Sequence, residues 1–359
     1  MSILEQSLRR LVTASPLWRP HTTVLAACSG GADSLCLTDV LASQAQEDAV
    51  TVLVVHVQHH LRGEEAERDA RVVEEFCRSR ALAYIRRDVD PRTLAARQSL
   101  SLEDAARRLR YEALEQCRRQ YGAKAIFLAH HQDDQAETVL LHLLRGAGTR
   151  GLRGMLPVNG YLARPFLTAA RKDTEAYCRE KGLPYVTDSS NEDLQLERNW
   201  VRRKLLPLLA GRNPQIKKQL AQAASLAASD EEYLEKQARN YFSAHGRENF
   251  GTIEIKAGKE FQELPFCLRS RVIRLVVQQA GGQGLSFDHV NKILAMIDKG
   301  VGNKALDVPG QVRLNYSNGR LTADRNKRSH REGREAKLAR KELQRHAGTT
   351  GREPGKSVD

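Results

Sequence analysis

Residues Cys28-Ser29-Gly30-Gly31-Ala32-Asp33-Ser34 carry the most pointed chemistry in this chain. An apolar run at 23–27 precedes them and a helix-compatible run at 35–43 follows, so the pattern is strand, tight glycine turn, helix. Gly30 and Gly31 let the backbone close on an anion, and Ser29 and Ser34 offer hydroxyls. The new helix adds unpaired N–H groups and the positive end of its dipole. That is a phosphate cradle. It lacks a Walker-type lysine and has Asp33 inside the turn instead. A carboxylate beside phosphates repels them unless a cation lies between, which points to Mg2+ and a nucleotide whose pyrophosphate leaves. The plainer alternative is an ordinary glycine-rich turn.

A second motif runs from His130 and His131 through Asp133, Asp134 and Glu137. It follows an apolar run and opens a helix, so Asp133 and Asp134 fall in the first turn, where the dipole favours anions. Asp134 and Glu137 lie one turn apart and share a face. Three acids beside two imidazoles suit Mg2+ or an ammonium group, while acidic N-capping is the structural alternative. Zinc is disfavoured, because adjacent histidines do not easily face one tetrahedral ion. At the end of another strand, alternation puts His56 and Gln58 on one side and His59 on the other. These suit an adenine or ribose edge better than acid–base catalysis. Asp188-Ser189-Ser190-Asn191 forms a turn ahead of Arg198, Arg202 and Arg203, a basic ridge that either grips phosphates or faces solvent. Arg107, Arg108 and Arg110, before Tyr111, make a second basic cluster in mid-helix. Gly146–Gly151 matches a dinucleotide fingerprint but follows a helix, and Gly351–Ser357 resembles a Walker loop with no strand before it, so both fail on context.

Strand-like runs at 23–27, 50–57, 83–89 and 125–129 alternate with helical segments at 64–80, 102–121 and 135–145. The near-continuous aliphatic run at 50–57 marks a strand buried on both faces. The expected class is α/β, a Rossmann-like parallel sheet with helices on both faces and ligands at the carboxyl ends of its strands. Asn213-Pro214 breaks the pattern, and a long helix is expected at 215–245. A smaller α+β unit follows, with strands at 252–255, 305–308 and 311–322, helices at 268–279 and 287–298, and turns at Pro309-Gly310 and Ser317-Asn318-Gly319. The resulting organisation is a nucleotide-binding domain at 1–212, a linker helix at 213–245, an accessory domain at 246–324 and a basic tail at 325–359, expected to be disordered apart from a candidate helix at 331–344.

The 359 residues carry a net charge of +13. That surplus fits a polyanionic partner, nucleic acid first, against the alternative of a basic solvated surface. Aromatic residues are 5% of the chain, too few for a binder built mainly on base stacking. The six cysteines are scattered without a C-x-x-C pair, which argues against a disulfide scaffold, a zinc ribbon or a cysteine-held iron–sulfur cluster. Reduced thiols, no signal-peptide layout and no apolar run near the ~20 residues of a membrane span predict a cytoplasmic protein.

Together these motifs resemble the tRNA(Ile)-lysidine synthases of the PP-loop (N-type) ATP pyrophosphatase superfamily. The Ser29–Ser34 loop identifies only the superfamily. The narrower likeness rests on the order and spacing of His56–Gly63, Glu103–Tyr111, His130–Thr138, Arg164-Pro165-Phe166-Leu167 and Asp188 through Arg202. It is strong over 20–210, and 215–323 resembles the family's helical linker and first accessory domain, which binds tRNA. The resemblance implies ATP-dependent ligation of L-lysine to carbon 2 of the wobble cytidine in the CAU anticodon of minor isoleucine tRNA. An adenylated cytidine is the intermediate, and lysidine, AMP and pyrophosphate are the products. It further implies that Ser29, Gly30, Gly31, Ala32, Asp33, Ser34 and His56 bind ATP, with Asp33 the Mg2+ partner. Asp134 and Glu137 would bind lysine; Asp33, Arg110, His130, Asp134 and Arg202 would form the catalytic group, with Arg198 rivalling Arg202 at the activated intermediate. Gln58 departs from the family's usual Asn or Asp, which argues against a direct catalytic role there. A homodimer is compatible with the resemblance, though no residue demands it. Long members carry a further C-terminal domain where this chain has only its tail, so fewer tRNA contacts are expected. Three other readings stay open: a sulfur-inserting tRNA enzyme, a non-catalytic nucleotide-sensing RNA binder and an amide-forming ligase of small metabolites.

Overall fold

The structure, a computed structural model, describes residues 1–186, 196–249, 251–300 and 304–325. The turn expected at 188–191, the tail after 325 with its candidate helix at 331–344, and the Walker-like stretch at 351–357 lie outside the described residues. The chain divides into two compact units, Met1–Ser229 and Asp230–Asp359.

The first unit runs α1 (Ile3–Ala14), β1 (Thr23–Ala27), α2 (Ala32–Asp48), β2 (Thr51–Gln58), α3 (Glu64–Ser79), β3 (Ala83–Asp88), α4 (Pro91–Gln98), α5 (Leu102–Gln120), β4 (Ala125–Phe127), α6 (Gln132–Leu144), α7 (Thr149–Leu152), β5 (Val158–Asn159), β6 (Leu162–Ala163) and α8 (Arg171–Lys181). After the undescribed segment come α9 (Glu197–Trp200), a π-helical turn at Val201–Leu205, α10 (Leu206–Arg212) and α11 (Ile216–His245), which contributes to both units. Six strands form one sheet in the order β3-β2-β1-β4-β6-β5. Its strands alternate between two cores. Val24, Ala26, Val52, Val54, Ala125 and Phe127 pack with α1, α2, α3 and α8 on one face, whereas Leu25, Val55 and Ile126 pack with Leu114 and Cys117 of α5 on the other. Burial on both faces explains why β2 reads as an unbroken aliphatic run.

The parallel, doubly covered sheet agrees with the expectation except at one edge. β5 pairs antiparallel with β6 through a two-residue loop whose first position is Gly160 at φ +59. A positive φ there suits a tight hairpin, and two-residue strands are too short for a periodic signal. Helices α1, α4 and α8 add to the expected elements. α1 opens on a capping box in which Ser2 and Glu5 bond each other's backbone N–H at 3.2 and 2.6 Å, and it buries Leu4, Leu8 and Val12 along one stripe.

The second unit is a five-stranded antiparallel sheet in the order β7-β8-β11-β10-β9, made of β7 (Gly246–Asn249), β8 (Thr252–Lys256), β9 (Lys304–Val308), β10 (Val312–Ser317) and β11 (Arg320–Arg325). Its helices are α12 (Lys259–Glu263), α13 (Phe266–Gln279) and α14 (Phe287–Asp298). Alternate residues of β8, β10 and β11 face a core with Val272, Ile273, Ile293 and Ile297 of the helices. The expected run at 311–322 is a hairpin, with Asn318 and Gly319 both at positive φ in its two-residue loop.

Candidate active site

β1 ends at Ala27 and α2 begins at Ala32, so the glycine turn sits at the carboxyl edge of the sheet's central strands. Gly30 takes φ +92, and a Cβ there would stand 3.3 Å from the Asp69 carbonyl oxygen and from Val186 Cγ2. Only glycine meets both demands. Ser34 Oγ donates to the Gly31 carbonyl at 3.0 Å and accepts from the Ser29 N–H at 3.1 Å, which fixes the loop's curvature. Gly31, the N-cap, supplies no side-chain acceptor, so the first N–H groups of α2 are left for an external anion.

The loop forms one wall of a cavity of about 350 Å³. Ser29, Gly31, Asp33, Ser34, Arg110, His130, Asp134 and Arg202, all expected at the site, line it together, as do Arg107 and Arg198. Gly30 and Ala32 belong to the loop but do not line the cavity. Two other expected residues stand off the wall. His56 is buried behind the loop, its Nδ1 2.9 Å from the Cys28 carbonyl oxygen, and burial lowers its pKa. Glu137, 1% exposed, lies beneath two arginines.

These arginines lock the acidic motif. Arg198 donates from Nε to Glu137 at 2.8 Å and from Nη2 to Asp134 at 3.0 Å. Arg202 donates to both Glu137 oxygens, at 2.5 and 3.1 Å, and lies 3.4 Å from Asp134 Oδ1. Spaced four residues apart across α9 and the π-helical turn, both face the same carboxylate pair rather than solvent. Burial alone would raise the Asp134 pKa; His131, Arg198 and His130 hold it below the usual carboxylate value. Burial pushes His130 down to about 3, helped by Arg164, Arg110 and Arg198 against the opposing pull of Asp134, and its Nδ1 has no hydrogen-bond partner. Asp133 turns elsewhere, to Lys217 of α11 and the Arg171 N–H.

Two further residues join the motifs: His131, expected only as one of the second motif's two imidazoles, and Thr174, which the sequence did not suggest. His131 caps α6, accepting from the Asp134 N–H at 3.3 Å, while its Nε2 lies 3.5 Å from Asp33 and 3.4 Å from Asp134. Burial opposes its protonation, but the hydrogen bond to Asp33 and the charges of Asp134, Asp33 and Asp133 raise its pKa. Its place just before a helix was the available signal. Thr174 of α8, fully buried, donates to Asp33, and no local pattern could reveal a partner 141 residues away.

Asp33 stays 28% exposed, and among the described residues no group of three or more His, Cys, Asp or Glu could enclose a metal. This donor set fits a Mg2+ that takes one carboxylate from the protein and its remaining ligands from phosphates and water.

Residues 1–209 match the PP-loop domain family and 259–322 the TilS substrate binding domain, so fold and site define a PP-loop protein. Among curated proteins, the tRNA(Ile)-lysidine synthase of Geobacter sulfurreducens is 36% identical over 84% of this chain and 64% of its own length. Those of Caldanaerobacter subterraneus and Symbiobacterium thermophilum are 32% and 34% identical over 86% and 89% of this chain, and 66% and 68% of their own lengths. The chain belongs to the tRNA(Ile)-lysidine synthase family, and it spans about two thirds of the length of these relatives. A solved U34-tRNA thiolase of Methanococcus maripaludis with its 4Fe-4S cluster shares the fold, with a TM-score of 0.52 at 15% identity over 63% of this chain and 78% of that one.

Proposed function

We propose that the protein ligates L-lysine to carbon 2 of the wobble cytidine in the CAU anticodon of a minor isoleucine tRNA, spending ATP and releasing AMP and pyrophosphate. The observation that carries this reading is the single cavity lined by the phosphate-cradling turn, Asp134, His130, Arg110 and Arg202. Family membership and the basic surplus support a tRNA substrate.

The first N–H groups of α2 and the turn at 29–34 hold the phosphates and stabilise charge as pyrophosphate departs. Mg2+, bound with the nucleotide at Asp33, would offset the negative charge of the phosphates. Thr174 and His131 hold the Asp33 carboxylate in place. A cytidine carbonyl oxygen leaves poorly until adenylated. After adenylation Arg202, with Arg198 beside it, faces the phosphate of the activated base. Asp134 and Glu137 receive the lysine ammonium, and Asp134 or neutral His130 takes the proton the amine must lose. Because both acids are paired with arginines in this structure, lysine must displace a guanidinium. The phosphate of the adenylated base is the anion able to draw one away. Closure against water matters, since hydrolysis of the intermediate only regenerates cytidine.

The cytoplasm is the expected compartment, and no described helix is long and apolar enough to cross a membrane. The sulfur-inserting alternative finds no support in the thiols: five of the six cysteines are buried, and among the described residues no cluster suits a metal. Incubation with ATP, Mg2+, labelled lysine and CAU-anticodon isoleucine tRNA tests the proposal. Label should enter the RNA with stoichiometric AMP, and failure of any lysine to enter refutes it.

A further inference from the structure

Helix α5 carries five arginines, and they divide into two groups. Arg108 donates to Glu112 at 2.8 Å and to Gln98 at 2.6 Å, and Arg118 and Arg119 both pair with Glu115 at 2.7 Å. Arg107 and Arg110 have no carboxylate within ion-pair distance among the described residues. Both guanidinium groups stand over the Tyr111 ring, at 5.2 and 5.6 Å, and both line the cavity. Two like charges one helical turn apart repel, so an unneutralised pair facing a cavity is poised for an anion. The two differ in depth: Arg110 is half-buried, whereas Arg107 is exposed.

From this we infer that Arg107 binds an RNA phosphodiester next to the nucleotide being modified. The inference rests on the proposed function and adds a residue that it leaves unassigned. The turn at 29–34 already supplies donors for the nucleotide's phosphates. At about 350 Å³ the cavity is near the lower end for ligand pockets, too small to take in a length of RNA strand. A base inserted toward the loop therefore leaves its flanking phosphates at the mouth. The cation they meet there is Arg107, exposed, without a carboxylate partner among the described residues and held over Tyr111 by a cation–π contact. A guanidinium in that place fixes the strand's register without reading sequence.

The test uses the full chain, with Arg107→Ala, Arg107→Lys and, as a control from the same helix, Arg108→Ala. Binding of a CAU anticodon stem-loop RNA is measured without lysine across a salt series, alongside the KM for ATP and lysine incorporation. Arg107→Ala should weaken RNA binding about tenfold near 0.1 M salt and flatten the log K against log salt slope by about 0.7 to 0.9. Arg107→Lys should restore the slope, Arg108→Ala should leave both quantities unchanged, and the KM for ATP should stay within twofold in every variant. An unchanged slope in Arg107→Ala, or a raised KM for ATP in place of weaker RNA binding, overturns the inference. The failures are separable. Wild-type protein that ignores lysine while its RNA binding depends on Arg107 defeats the proposed ligation alone; efficient ligation with an unaltered slope defeats the Arg107 contact alone.

Discussion

Replacing Glu137 with Gln keeps the side chain's shape and removes its charge, leaving Arg198 and Arg202 facing a neutral amide. The carboxylate is 1% exposed and accepts from both arginines at 2.5 to 3.1 Å. Removing one partner of a fully buried ion pair costs about 3–5 kcal/mol. Here the arginine side chains are 25% and 26% exposed and keep Asp134, so water and the remaining carboxylate recover part of that loss. The expected cost is about 1–3 kcal/mol, or a Tm lowered by roughly 2–12 °C for a unit of this size. On the proposed function the same change would remove a charge-assisted contact to the lysine ammonium, so the KM for lysine should rise about tenfold or more. Thermal unfolding and lysine-dependent AMP release read the two effects separately. A Tm within 1 °C of wild type together with an unchanged KM for lysine would refute the reasoning that Glu137 anchors the arginines and receives lysine.

Gly30→Ala forces a Cβ into φ +92 beside Asp69 and Val186, which should cost at least about 1 kcal/mol and raise the KM for ATP, as unfolding and ATP titration would show. The pH dependence of stability follows from the histidines. Burial pushes His130 to about 3 and His59 to about 4, and lowers His56. Unfolded, these groups titrate near 6.5, so the unfolded chain binds more protons between about pH 6.5 and those lower values, and stability falls as pH drops through that window. His131, raised in the fold, acts in reverse: its contribution is present below about 6.5 and is lost as pH rises through its folded value. With three histidines opposing one, Tm should decline from pH 7 to pH 4.5; a flat or rising Tm would contradict this balance.

Local features were legible from residue order. The turn at 28–34 announces itself because its glycines, hydroxyls and helix start are neighbours in sequence, and Gly30 has the backbone angle its type suggests. β2 was readable for a similar reason, since burial on two faces leaves an uninterrupted aliphatic run. Contacts made by packing were hidden. The links from Thr174 to Asp33 and from Arg198 and Arg202 to Glu137 span 141, 61 and 65 residues. The four-residue spacing of these arginines shows that they share a face, but not that the face turns inward. His131 was legible as one of the second motif's two imidazoles, but not its part as the cap of α6 and the neighbour of Asp33, because an imidazole is an unusual cap and Asp33 lies far away in sequence. Pattern alone also could not tell that His56 lies behind the loop and Glu137 beneath the wall, since burial depth is set by neighbours distant in sequence.

The central claim is most directly tested by the mass of the wobble nucleoside after a CAU-anticodon isoleucine tRNA is incubated with the protein, ATP, Mg2+ and each amino acid in turn. The account predicts a gain equal to lysine minus water at that nucleoside, with lysine alone among the amino acids. An unmodified cytidine under every condition, or a gain with another amino acid in lysine's place, would contradict it.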